Sequence, residues 1–131
     1  MIPSERPDRA STRRLQPDLL AERRHAERWE RDLRVPETLD CWPGHFPDWA
    51  VVPGVLQLDW VMAFLADVLG RSPCLARIEG LKFKRSLGPG VSLTLTLERE
   101  PGGAAFRFAL ADPEHVFCQG RLALSPATVG P

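Results

Sequence analysis

The chain has 131 residues and a mass of 14.6 kDa, of which 44% are hydrophobic and 26% charged, so it holds one packed domain and is neither disordered nor fibrous. Lys plus Arg and Asp plus Glu each total 17, a balance that excludes a protein built mainly to grip nucleic acid or an anionic membrane. A charged partner has to be met by a local patch.

Residues 1–16 are rich in Arg, Ser and Pro without a hydrophobic period and are predicted to be a mobile tail, with acidic Glu5 and Asp8 arguing against a transit peptide. One domain is expected over 17–126, with a short tail over 127–131. Within 18–35 two readings stand open. Ala, Glu, Arg and Leu dominate and favour an arginine-rich helix. The alternation of Trp29, Arg31, Leu33 and Val35 with Arg28, Glu30, Asp32 and Arg34 favours a strand after a turn near His25 and Ala26. Downstream, Pro53-Gly54 opens and Gly70 stops a helix predicted over 55–69, about 22 Å of rise. Apolar side chains occupy nearly every face of it, so it has to be wrapped by other elements or by a partner subunit. The run from Cys74 reads as extended, with Gly80 as a bend or bulge. Val91, Leu93, Leu95 and Leu97 alternate with Ser92, Thr94, Thr96 and Glu98, a half-buried strand bracketed by turn signals at 87–90 and 100–103. Two more strands follow from Ala104 and His115, joined by a turn at Asp112-Pro113-Glu114. The sum is an α+β domain in which an antiparallel meander rolls its apolar face around one helix.

Asp59 is the anomaly of that helix, flanked by Leu58 and Trp60. A carboxylate buried among such neighbours is costly unless paired or protonated, which would suit a general acid; the plain alternative is that it points to solvent. The loop before the helix carries Gly44-His45-Phe46-Pro47 and then Val51-Val52-Pro53-Gly54. Histidine moves protons near neutral pH, and the free N–H groups of a helix starting at Gly54 can hold a developing oxyanion. A base, an N–H donor and an acid thus lie within fifteen residues, the parts needed to enolise a thioester and expel a leaving group.

Residues 44–59, GHFPDWAVVPGVLQLD, resemble the active-site signature of the 3-hydroxyacyl-acyl-carrier-protein dehydratases, which have the hotdog fold; KFKRSLGPG at 82–90 is similar to that family's strand and Pro-Gly turn. The Gln57-Leu58-Asp59-Trp60 version is most similar to the small dehydratases of aryl-polyene gene clusters, and Asp at 59 resembles the hydroxydecanoyl-thioester dehydratases. The resemblance, over about residues 17–125, implies that 18–24 and 27–35 form a hairpin, completing six antiparallel strands around the central helix. It implies dehydration of (3R)-3-hydroxyacyl thioesters to trans-2-enoyl thioesters in fatty-acid or polyene-type biosynthesis, in a homodimer or a heterodimer with another hotdog subunit. His45 would remove the C2 proton, Asp59 of the other subunit would protonate the leaving hydroxyl, and the Gly54 N–H would hold the thioester oxygen. Phe46, Val55, Trp49 and Trp60 would line the acyl pocket, although for Trp60 a core and interface-filling place is the favoured reading. No metal or bound cofactor is implied, since the substrate arrives on the phosphopantetheine of an acyl carrier protein. The chain departs from the family at Asp48-Trp49-Ala50, where Gly and a following Pro are usual. Two rival readings are a thioesterase of the same fold and a non-catalytic subunit that partners an active dehydratase.

Lys82, Lys84 and Arg85 form a basic cluster that could steer an acidic carrier protein. His25 and His115 have no ligand partners at metal-binding spacing. Three Cys, at 41, 74 and 118, are odd in number and form no CxxC pair, which fits a reducing compartment. The densest apolar run, 60–66, falls short of the roughly 20 residues of a membrane helix, so a cytoplasmic protein without a membrane partner is expected.

Overall fold

A computed structural model describes residues 15–37 and 51–126. Strands β1 (Asp18–His25) and β2 (Arg28–Arg34) precede helix α1 (Gly54–Leu69), followed by β3 (Leu75–Phe83), β4 (Ser92–Arg99), β5 (Ala105–Ala111) and β6 (Val116–Leu124). The six strands form one antiparallel sheet in the order β1-β2-β4-β5-β6-β3, the six-strand, one-helix arrangement expected above. Leu93, Leu95 and Leu97 of β4 and Phe106, Phe108 and Leu110 of β5 are buried and stand opposite one another in register, Leu95 against Leu110 and Leu97 against Phe108. These rows meet Leu56, Trp60, Val61, Phe64 and Leu65 of the helix in one core. Helix α1 ends where Gly70 enters the left-handed region at φ 75° and its N–H donates to the Ala66 carbonyl.

The open reading of 18–35 resolves as a hairpin that turns at Ala26, whose φ is +57°. Helix propensity fails in β1 because that strand is exposed along its whole length and owes its order to pairing with β2, not to burial. Opposite charges face each other across the pair: Arg31 binds Glu22 at 2.6 Å, and Arg23 binds Glu30 at 3.0 Å. Arg23 also grips Asp32 with two bonds of 2.8 Å, and the Thr94 hydroxyl donates to the same carboxylate. Arg23 first, then Thr94, hold the Asp32 carboxyl at about 2, below its ordinary value. A depressed carboxyl stabilises the fold above its unfolded pKa of about 3.9, and that contribution disappears as pH falls through the folded value. Asp32→Asn therefore lowers the melting temperature by a few degrees at pH 7, and the gap to the parent closes as pH falls from about 4 towards 2; a pH series of thermal melts checks it.

At the other edge, β3 breaks register with β6 between Glu79 and Lys82, and Gly80 sits there at φ 62°. The expected bulge is present, and it resets which residues face the helix. The described part begins at Leu15, just inside the expected tail: the Trp60 indole N–H donates to the Leu15 carbonyl at 2.9 Å, and the Leu15 side chain packs on the core. No helix among the described residues is long and apolar enough to cross a membrane.

Candidate active site

The site is built at the N-terminus of α1. Residues 51–53 run extended into the helix, fixed on the sheet side by a bond of 2.7 Å from the Val52 N–H to the Leu87 carbonyl. Pro53, the N-cap, brings no side-chain cap, and its carbonyl accepts the Leu56 and Gln57 N–H groups at 3.0 and 3.1 Å. The N–H groups of Gly54 and Val55 lie ahead of any intrahelical acceptor and meet no backbone acceptor among the described residues, an arrangement able to hold an oxyanion. Gly54 borders a cleft of about 450 Å³ walled also by Val51, Val52, Gln57, Phe83 and the Lys84-Arg85-Ser86 segment. Gly54 is required there by contact: a Cβ on it would stand 2.7 Å from the Phe83 ring.

Asp59 is not the buried carboxylate that its apolar flanks suggest. It is exposed. Leu56, Gln57, Trp60, Val61, Phe64 and Leu65 face the sheet, and the 3.6-residue turn puts Asp59 with Val55 and Ala63 on the opposite side, which no described element covers. Val55 is 69% exposed. Among the described residues the helix is thus wrapped on one side only, and Val55 and Asp59 share the face left open next to the Gly54 end.

Trp60 belongs to the core, pinned to Leu15, and does not line the cleft. The basic cluster divides. Lys84 and Arg85 border the cleft, whereas Lys82 borders a separate groove of about 390 Å³ with Glu79, Arg107, Gln119 and Arg121. Consecutive strand residues face opposite sides, so with the Phe83 ring at Gly54, Lys82 faces the other way, whereas Lys84 and Arg85 follow the end of β3 at Phe83. His45, Phe46 and Trp49, and the Asp48-Trp49-Ala50 departure, lie outside the described residues.

Two cleft residues were not singled out from the sequence. Phe83 was hidden because the bulge at Gly80 breaks the alternation that assigns strand faces. Gln57 could have been found: the helical period places it with Leu56, Trp60 and Val61 on the buried face, a costly place for an amide. No cluster of His, Cys, Asp or Glu able to hold a metal ion occurs among the described residues.

Comparison with known proteins agrees with this fold. The family model "ApeI-like: ApeI dehydratase" matches residues 21–121. A solved structure, the dehydratase heterocomplex ApeI:P from Xenorhabdus doucetiae, superposes with a TM-score of 0.69 at 30% identity, covering 83% of this chain and 97% of that one. The 3-hydroxyacyl-[acyl-carrier-protein] dehydratase FabZ of Verminephrobacter eiseniae is 33% identical, over 66% of this chain and 67% of that protein. The FabZ of Syntrophomonas wolfei is 41% identical over 52% of this chain, which spans about half, 51%, of that relative. Thioesterase superfamily member 2 from Mus musculus, with a TM-score of 0.62 at 14% identity, shares the fold alone. On the family model, the near-complete overlap with a solved relative and the sheet wrapped around one helix, the chain is a hotdog-fold member of the ApeI-like dehydratase family.

Proposed function

We propose that the chain eliminates water from (3R)-3-hydroxyacyl thioesters carried on an acyl carrier protein, giving trans-2-enoyl thioesters in fatty-acid or aryl-polyene-type biosynthesis. The observation that carries this is the open helix N-terminus at Gly54, set in a cleft with Asp59 one turn further along an uncovered helix face. The Gly54 N–H holds the thioester oxygen as negative charge builds on it. His45 accepts the C2 proton, the C2–C3 double bond forms as the C3–O bond breaks, and Asp59 of the other subunit delivers a proton so that the hydroxyl leaves as water. His45 ends protonated and Asp59 ionised, and exchange with solvent resets both. The elimination needs proton transfers alone, so the substrate's phosphopantetheine is the only prosthetic group we assign. Val55 lies on the partner-facing side, and Phe46 and Trp49 complete the acyl pocket. The expected product signal is enoyl-thioester absorbance at about 260 to 270 nm. Release of free thiol without that absorbance would support a thioesterase instead.

Pairing of hotdog subunits is documented for the Xenorhabdus doucetiae relative, a heterocomplex. For this chain we propose that a second hotdog subunit, a copy of itself or a related chain, covers Val55 and Asp59. The apolar surface left open at the cleft supports this: Val51 and Phe83 are 42% and 49% exposed. Two active-site halves supplied by two subunits also account for retention of both His45 and Asp59, which a purely structural subunit would not need. We place the protein in the cytoplasm, in keeping with its odd number of cysteines.

Lys84 and Arg85 are exposed at the cleft rim, where they suit the acidic surface of a carrier. Reversing both, Lys84→Glu with Arg85→Glu, is expected to lower kcat/KM for a carrier-bound substrate by about tenfold at low salt, with a much smaller effect on a free pantetheine thioester. Lys82→Glu, in the separate groove, should change neither by more than about twofold. Steady-state kinetics at two ionic strengths read all three.

A further inference from the structure

Gln57 is the buried polar side chain of the described structure, 3% exposed, on the first turn of α1 and in the cleft wall. Its Nε2 donates to the Val52 carbonyl at 3.1 Å. Val52 is thereby held from both sides, its N–H by Leu87 and its carbonyl by Gln57. The Gln57 Oε1, however, is buried and meets no donor among the described residues. A buried amide oxygen without a donor forfeits its hydration for nothing in return, whereas Met or Leu would fill a similar volume without that loss. What the chain retains the amide for is therefore its N–H. Val52 leads into Gly54 through Pro53, whose ring fixes one of the two intervening torsions, so anchoring the Val52 carbonyl restricts the direction in which the Gly54 N–H points.

We infer that Gln57 is a positioning residue for the dehydration: its side-chain amide clamps the Val52 carbonyl and so aims the Gly54 N–H into the cleft. The unpaired Oε1 is the local destabilisation that this clamp entails. The inference rests on the reading of Gly54 as the oxyanion donor.

Three forms of the full chain test it: the parent, Gln57→Met and Gln57→Glu. The Met variant keeps its melting temperature within a few degrees, because it loses one hydrogen bond and one unpaired oxygen together. Its kcat falls by about tenfold with KM little changed, as expected when a donor is misaimed at charge present only in the transition state. A protonated Glu has an O–H to donate to Val52, whereas an ionised one offers only lone pairs to a carbonyl oxygen. The ratio of Gln57→Glu turnover to parent turnover therefore falls as pH rises, and the Met-to-parent ratio stays flat. Independently of any substrate, the backbone amide resonances of Gly54 and Val55 shift in Gln57→Met. Parent-like kcat in Gln57→Met, a loss matched by lost folded protein, a flat Glu ratio, or unmoved Gly54 and Val55 resonances would each overturn the clamp. A parent chain without dehydratase activity would instead overturn the functional reading, and the resonances would still decide the clamp.

Discussion

His45→Ala and Asp59→Asn each lower enoyl-thioester formation by on the order of a hundredfold or more, and a refolded mixture of the two inactive variants recovers activity. The recovery follows from the uncovered helix face. Asp59 is exposed beside Val55 in a single chain, so in the proposed mechanism the acid is met by a second subunit. In a homodimer, random reassortment puts half of the molecules in mixed pairs, each with one intact site of two, so about a quarter of parental activity returns. Two results would sink the shared site: either variant working at parental rate, or full loss in both with no recovery in the mixture while the mixed dimer is demonstrably formed. Recovery only after addition of a different hotdog chain would assign the second half of the site to that chain.

The second large effect concerns Gly54. Adding a methyl group there places a carbon 2.7 to 2.8 Å from the outer atoms of the Phe83 ring, closer than any Cβ tolerates. Since Phe83 is half exposed, the ring can swing aside, and Gly54→Ala should stay folded with a stability loss of about 1 to 2 kcal/mol. Turnover should suffer far more, by about a hundredfold, because the displaced ring and the new methyl both stand where the proposed mechanism brings the thioester oxygen to the N–H. Gly54→Ala with Phe83→Ala removes the clash and recovers at least tenfold of that loss. Circular dichroism separates folding from catalysis, and kinetics of the single and double variants give the coupling directly. A Gly54→Ala enzyme with parental kcat would mean that the oxygen is held elsewhere.

Much of this was open to reading along the chain. Regular alternation in β4, from Val91 to Glu98, announced a strand with one buried face, and β4 is one. Pro53-Gly54 and Gly70 marked the helix ends to within a residue, since a rigid φ and a left-handed cap are local properties. The spacing from His45 through Gly54 to Asp59 named the candidate chemistry because a loop feeding a helix N-terminus is itself a local arrangement. Balanced charge was equally legible. Seventeen acids against seventeen bases left any charged partner to a local patch, and Lys84 and Arg85 lie together at the cleft rim.

Tertiary structure alone decided the rest, for reasons that are not local. Strand β1 has a helix former's composition, and only the β2 edge with its opposed charges makes it a strand. Where β3 lies against the helix start decides that the Phe83 ring meets Gly54, and strand alternation then sends Lys82 to the other face. Which side of α1 the sheet covers decides the fates of its two least expected residues. Gln57 is driven inside with an unpaired oxygen, and Asp59, in spite of its apolar neighbours, is left in the open, because one sheet can wrap only one side of a helix.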